Sequence, residues 1–301
     1  MMDNVLSLIS APDGAALSED VLARAAHALQ GAGATTGAAV WLAPGQAADV
    51  PFAGLERAKA RETVVAALSD RPIDVNALAA TGRRKKLIVA DMDSTIITCE
   101  CLDEIADLLG FKEKVSAITE RAMRGELAFE PALRERVALL DGLEEARLAD
   151  VYRDRVRLTA GARTLVMTMR KSGAHTVLVS GGFTFFTTRV AAAAGFETHR
   201  GNTLLAENGK LTGRVGEPIL GREAKLATLE EAARRHGLKL EETLAVGDGA
   251  NDLAMIQAAG LGVAFHAKPL VAAAAGARID HGDLTALLYL QGYRADEFVA
   301  A

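Results

Sequence analysis

Lys86-Leu87-Ile88-Val89-Ala90-Asp91-Met92-Asp93-Ser94-Thr95 is the stretch whose reading decides the fold. A short, β-prone apolar run breaks off into two aspartates one residue apart. Such a run predicts a buried strand of an α/β sheet, and sheets of that kind bind ligands beyond the carboxyl ends of their strands. Taken alone, Asp91 and Asp93 read more simply as the start of a turn. Three further pieces downstream, in matching order, favour a reaction site.

The first is Ser180-Gly181-Gly182. An apolar run, His175–Val179, ends in this serine and two glycines, and a helix is predicted from Phe183 to Ala194. A hydroxyl and backbone amides at a helix N-terminus make a ready anion site, although a cap is the ordinary use of such a serine. The second is Lys225, near the start of a long amphipathic helix opened by Arg222-Glu223-Ala224. A cation there opposes the helix dipole. Two readings stand: a solvated surface lysine, or a lysine holding an anion at the sheet edge. The third is Gly247-Asp248-Gly249-Ala250-Asn251-Asp252, which follows the strand-like run Thr243–Val246 and precedes a helix over Leu253–Ala259. The glycines are expected to let Asp248 approach a ligand closely, and Asp252 to lie one turn into the helix on the same face. Carboxylates converging from several strand ends repel unless a cation holds them, and all-oxygen ligation points to Mg²⁺.

Between the first strand and the resumption of the α/β pattern, four stretches carry apolar residues at three-to-four spacing: Glu100–Leu109, Val115–Arg124, Phe129–Leu140 and Glu144–Val156. Helices inserted here without a strand predict a lid. Asn202–Val215 reads as two strands joined at Asn208-Gly209, a hairpin turn. Upstream, residues 1–82 form a separate unit of order βαββαβ: strand Val5–Ser10, a helix opened by Ser18-Glu19-Asp20, strands Ala38–Leu42 and Ala47–Ala53, helix Leu55–Leu68 and strand Ile73–Val75. That is a ferredoxin-like order. It resembles ACT-type ligand-binding domains in element order only. Two roles stand side by side for it: a structural one, including a homodimer contact, and ligand sensing. Thr81-Gly82-Arg83-Arg84-Lys85 is the basic joint to the main domain.

Composition excludes several classes. The chain has 301 residues, half of them apolar and 24% charged, with net charge −5. That is a soluble balance with no electrostatic case for nucleic acid, and aromatic residues are too scarce for a base-stacking surface. Met1-Met2-Asp3-Asn4 lacks a basic segment and no apolar run approaches ~18 residues, so neither a signal peptide nor a membrane span is expected. Cys99 and Cys101 are read as two reduced cysteines of a cytoplasmic protein.

Asp91-Met92-Asp93-Ser94-Thr95, Ser180-Gly181-Gly182, Lys225 and Gly247-Asp248-Gly249-Ala250-Asn251-Asp252 resemble the four motifs of the haloacid dehalogenase superfamily, in order. Glu100, Asp103-Glu104-Ile105-Ala106, Phe129, Leu133-Arg134-Glu135-Arg136-Val137 and Ser180-Gly181-Gly182-Phe183 make the likeness closer to the phosphoserine phosphatase family within it, over about residues 85–290. The resemblance implies a Rossmann-like parallel sheet (residues 83–98 and 159–301) with a helical-bundle cap (99–158) inserted after the first strand. It implies Mg²⁺-dependent hydrolysis of O-phosphoserine, a small-molecule partner, through an aspartyl-phosphate. It makes Asp91 the nucleophile and Asp93 the general acid/base. Asp91, the main-chain carbonyl of Asp93, and Asp248 become the metal ligands, supported by Asp252. Ser180, Gly181, Lys225 and Asn251 are implied on the phosphate. Glu100 falls on the substrate amine and Arg136 on its carboxylate, with Phe129 and Met123 closing the lid. Without the resemblance, Arg136 and Arg134 are indistinguishable. A related phosphatase or phosphotransferase for homoserine phosphate or a sugar phosphate would share all four motifs. A phospho-accepting receiver domain would share the acidic cluster and lysine without the lid.

Overall fold

The computed structural model of the chain describes residues 2–12, 17–123 and 126–300. Its first 79 residues build an antiparallel sheet under two helices: β1 (Asn4–Ser10), α1 (Glu19–Gly31), β2 (Thr35–Thr36), β3 (Val40–Ala43), β4 (Ala47–Ala53), α2 (Arg57–Ala67) and β5 (Ile73–Ala79). The Ser18 hydroxyl caps α1 by accepting from Val21 N–H at 3.4 Å. The sheet order is β2-β4-β1-β5, with β3 also on β4. β2 and β3 share the outer edge of β4, with Thr35 opposite Ala53 and Trp41 opposite Ala48. They act as one interrupted strand, so the expected βαββαβ order holds.

The second sheet begins with β6 (Leu87–Ala90) and is parallel throughout. A turn over Met92–Ile96 leads into α3 (Cys101–Leu108), α4 (Lys112–Met123), α5 (Phe129–Ala138) and α6 (Ala146–Arg155). The chain returns through α7 (Ala162–Lys171), β7 (His175–Phe183), α8 (Thr184–Ala194) and β8 (Thr198–Asn202). The hairpin β9 (Leu204–Glu207) and β10 (Lys210–Val215) comes next, followed by α9 (Glu223–Arg235), β11 (Thr243–Gly247), α10 (Leu253–Ala258), β12 (Leu261–Phe265), α11 (Pro269–Ala274), β13 (Ala277–Ile279) and α12 (Ala286–Leu290). The order β13-β12-β11-β6-β7-β8 puts β6, the first strand in sequence, in the middle, with the chain winding away on both sides. The crevice where winding reverses opens at the carboxyl end of β6, which is where Asp91 stands.

β6 is apolar at every position because both faces are covered. Ile88 and Ala90 join one hydrophobic cluster, Leu87 and Val89 another beneath α9. The lid helices leave and re-enter through a narrow joint. Ile97 bridges Leu158, Thr98 N–H donates to Arg157 O at 3.1 Å, and Thr159 N–H donates to Ile96 O at 2.9 Å. The hairpin turns at Asn208 and Gly209, both left-handed at φ 52° and 76°, as a tight two-residue hairpin requires. It packs on the lid: Glu145 N–H donates to Gly209 O at 2.9 Å and Leu211 N–H to Leu143 O at 2.8 Å.

Two local expectations are corrected. β7 runs on through Ser180-Gly181-Gly182 to Phe183, and α8 starts only at Thr184, so Ser180 lies within an irregular strand end, not at a helix N-terminus. Asp252 precedes α10 as its cap residue instead of lying one turn inside it. Among the described residues, no helix is long and apolar enough to cross a membrane.

Candidate active site

Asp91 prolongs β6 by one residue, its N–H donating to Val246 O at 3.0 Å, and its carboxylate sits 5% exposed in the crevice. Oδ1 accepts from Met92 N–H at 2.8 Å and stands 2.7 Å from Lys225 Nζ. Lys225, on the first turn of α9, is only 3% exposed, which decides between its two readings: it is an internal cation. It also donates to Asp252 Oδ1 at 2.5 Å. The other oxygen of Asp252 accepts from Gly249 N–H at 3.0 Å. A Cβ on Gly247 would overlap the Asp252 carboxylate. The glycine therefore makes room for that side chain. Asp252 is fully engaged in holding Lys225 and the turn after β11.

Asp93 lies on the turn that follows. Its Oδ1 accepts from Cys101 N–H and its Oδ2 from the Ser180 hydroxyl, each at 2.9 Å. The Ser180 Oγ in turn accepts from Gly182 N–H at 2.8 Å. A Cβ on Gly182 would stand 3.0 Å from Ser180 Oγ and 3.1 Å from Asp93 Oδ2, so a glycine preserves this contact. Ser94 adopts φ 55°, which swings the chain back into the lid. Its hydroxyl donates to Glu100 Oε1 at 2.6 Å. Asp248 accepts from the Thr95 hydroxyl at 3.2 Å.

Charge is crowded here. Burial, with repulsion from Asp252 and Asp93, pushes the Asp91 carboxyl well up against the opposing pull of Lys225. Burial also works against the Lys225 charge, but Asp91 and Asp252 overcome it and hold the ammonium above its ordinary value. Asp248 is raised by burial and by Asp252. One internal ammonium thus faces several carboxylates. Oxygens of Asp91, Asp248 and Asp252 lie within 4.8 Å of one another, a hard donor set suited to a divalent cation. Asp91 and Asp248 line the cavity under the lid, whereas Asp252 does not and is bonded to Lys225 and Gly249 N–H.

A cavity of about 300 Å³ joins this floor to the lid. Asp91, Asp93, Asp248, Asn251, Ser180 and Gly181 line it from the core, and Glu100, Asp103, Phe129 and Arg136 from the lid. Phe129 sits over Gly181, whose added Cβ would stand 3.3 Å from Cζ. Glu100 is open to solvent on one side, yet burial of its carboxyl in the cavity wall, with repulsion from Asp93, pushes it up to about 7. Arg136 is half-buried; its Nε donates to Ala132 O at 3.1 Å, and burial lowers its pKa against the pull of Asp103 and Glu100. Arg134 points away and pairs with Glu217 on the surface. The Met123 side chain lies outside the described residues. Sequence reasoning missed Thr95, Lys268 on the cavity rim, and Asn202, whose Nδ2–H donates to Gly181 O at 2.8 Å while its Oδ1 accepts from Leu220 N–H at 2.7 Å. The Asp248–Lys268 pairing is electrostatic, and no spacing in the sequence announces it.

Comparison with known proteins adds four findings. Residues 88–257 match the family model of haloacid dehalogenase-like hydrolases. A phosphoserine phosphatase of Albidiferax ferrireducens is 48% identical over 211 residues, 68% of this chain and 89% of that protein. One of Archaeoglobus fulgidus is 46% identical over 205 residues, again 68% of this chain but 59% of that longer relative. The crystal structure of a probable phosphoserine phosphatase from Vibrio cholerae superposes with a TM-score of 0.78 at 32% identity, covering 96% of this chain and 86% of the other.

Proposed function

The chain belongs to the haloacid dehalogenase-like hydrolases, and from that footing we propose that it hydrolyses O-phospho-L-serine to L-serine and phosphate, the last step of a phosphorylated route to serine, through an aspartyl-phosphate on Asp91. One observation carries the substrate: the cavity that holds Asp91 and Asp93 also presents lid carboxylates, Glu100 and Asp103, and a half-buried guanidinium, Arg136. Those are the complements of an ammonium and a carboxylate beside a phosphate.

Phosphate monoesters hydrolyse so slowly that splitting the reaction into two displacements is a large gain. Asp91 Oδ1 is held by Lys225 and Met92 N–H, so Oδ2 is the oxygen that attacks phosphorus. As the P–O bond to the substrate breaks, an Asp93 that enters the step protonated gives that proton to the leaving oxygen. It then removes a proton from water, which attacks phosphorus and releases Asp91 and inorganic phosphate. Hydrogen bonds from Ser180 and Cys101 N–H fix the Asp93 carboxyl in place for both transfers. Lys225, with Ser180, the Gly181 amide and Asn251, offsets charge on the other phosphate oxygens. Mg²⁺ would be held by Asp91, Asp248 and the Asp93 carbonyl; when bound it supplies positive charge that lets a carboxylate approach a phosphate dianion. The substrate is a small molecule, and the free cysteines Cys99 and Cys101 suit a cytoplasmic setting.

The test is phosphate release from O-phosphoserine, homoserine phosphate, a sugar phosphate and an aryl phosphate, with Mg²⁺ and with a chelator. O-Phosphoserine is expected to lead in kcat/KM by roughly tenfold or more, in line with hydrogen bonds to two charged groups, and chelation to stop turnover. A sugar phosphate turned over faster than O-phosphoserine would overturn the substrate assignment.

A further inference from the structure

Thr119 lies on α4 in the wall of the same cavity, which Leu133 and Arg136 of α5 also line, and α4 packs against α5. Its Oγ1 is buried and, among the described residues, has no hydrogen-bond partner. A helical threonine commonly donates to the carbonyl one turn back; this one does not. The free site therefore carries an unmade bond at full desolvation cost, a cost that is offset when a ligand supplies the partner. On its lid side the cavity offers Arg136 as the cationic donor for an anionic headgroup. Asp91, Asp93, Glu100, Asp103 and Asp248 all present carboxylates. Arg136 already spends its Nε–H on Ala132 O, leaving its terminal nitrogens. A guanidinium docks a carboxylate through two parallel N–H bonds, which leaves about two of its roughly four lone-pair positions open. Threonine alternates between two χ1 wells on a helix, so the hydroxyl can turn to a ligand without backbone movement.

We propose that Thr119 is a specificity-determining residue: its hydroxyl donates to the substrate carboxylate beside Arg136 when α4 and α5 close on a phosphorylated amino acid. The assignment rests on the proposed amino-acid substrate and adds a second donor to it. Glu100 and Asp103 already provide for the ammonium, so the orphan donor belongs with the carboxylate.

The experiment compares wild type, T119V and T119S on O-phosphoserine and on an aryl phosphate that has no carboxylate, with the thermal midpoint of each free enzyme. T119V is expected to raise KM for O-phosphoserine by roughly tenfold, the size of one hydrogen bond to a charged group, with kcat within about twofold. The same variant leaves aryl phosphate kinetics within about twofold, and T119S restores KM to within about threefold of wild type. The midpoint of T119V stays level or rises, because a methyl replaces an unsatisfied hydroxyl. An unchanged KM for O-phosphoserine overturns the proposal. So does an equal loss on both substrates, or a loss that tracks a fallen midpoint, since either marks a structural role. Wild type that shows no preference for O-phosphoserine overturns the substrate reading and this proposal together, whereas a preference untouched by T119V overturns this proposal alone.

Discussion

At the scale of single residues, Arg136 and Arg134 separate by environment alone. Two positions apart on a helix they face different ways, and a single sequence does not say which face meets a crevice. Arg136→Ala should cut kcat/KM for O-phosphoserine by roughly ten- to a hundredfold, the loss expected for hydrogen bonds to a charged group, and should change aryl phosphate turnover far less. Arg134→Ala, which frees only the surface Glu217, should change neither. Glu100 gives a pH signature. Its carboxyl is raised from 4.5 to about 7 in the free protein, so it is ionised above that value and neutral below. KM for O-phosphoserine should therefore rise as pH falls through about 7, with the aryl phosphate dividing out titration of the phosphate itself, and Glu100→Gln should flatten the difference. The same shift has a sign for stability. The folded chain binds this proton more tightly than the unfolded one, so the Glu100 contribution declines as pH rises from 4.5 to about 7. Asp91, Asp93 and Asp248 were legible because apolar runs break off at them. The burial of Lys225 was not, since it depends on the carboxylates folded around it. Thr95, Asn202 and Thr119 look like any polar residue in a turn, strand end or helix.

At the scale of elements, the helical lid is written in the spacing of its apolar residues, and each observed helix falls within three residues of its expected start. The hairpin was equally legible from Asn208-Gly209, but its use was not. Long-range pairing with the lid has no local signal. β10 packs against α5, and Gly213, left-handed at φ 64°, lets it come close: an added Cβ would stand 3.0 Å from Asp141 Cβ and 3.3 Å from the Ala138 backbone. The hairpin thus braces the helix that carries Phe129 and Arg136. Gly213→Ala adds backbone strain and this contact, a destabilisation on the order of 1–3 kcal/mol. It should raise KM for O-phosphoserine and lower the thermal midpoint while Mg²⁺ affinity, set by the core, stays unchanged. A drop in Mg²⁺ affinity without a change in KM would show that the hairpin acts on the core instead. The extension of β7 through Ser180 to Phe183 was missed because paired glycines read as a break, although here they keep strand conformation while Ser180 turns to Asp93.

At the scale of the whole molecule, the first sheet is less detachable than its composition suggests. Asp74 on β5 is buried and accepts from the N–H groups of Asp280 at 2.7 Å, Gly282 at 2.8 Å and His281 at 3.2 Å, all in the loop after β13. Asn76 bonds Arg278 twice, donating to its carbonyl at 2.9 Å and accepting from its N–H at 2.8 Å. Arg83 pairs with Asp49 and donates to Leu290 O and Tyr289 O, each at 2.9 Å. Ile9, Leu42 and Ala47 belong to the same apolar cluster as Ile88 and Leu287. The loop that Asp74 holds also receives His266, which bonds Gly282 O at 2.9 Å at the end of β12, two residues before Lys268. Asp74→Ala leaves buried donors unsatisfied and should lower stability by roughly 2–4 kcal/mol in denaturant titration, with kcat little changed at temperatures where the chain stays folded. A chain beginning at Arg83 keeps every group assigned to the chemistry, so it should remain active per folded molecule while unfolding at lower temperature; inactivity with an intact Mg²⁺ site would place a catalytic contribution in the first sheet. The covalent role of Asp91 is the claim on which all of this depends. Full-length Asp93→Asn protein, mixed with O-phospho-L-serine and Mg²⁺ and stopped rapidly, should gain one phosphoryl group by intact mass, mapped by peptide analysis to Asp91 and absent from Asp91→Asn. A phosphoryl group on any other residue, or turnover by Asp91→Asn above about a hundredth of wild type against effects of order 10²–10⁴ for acid–base groups, would contradict it.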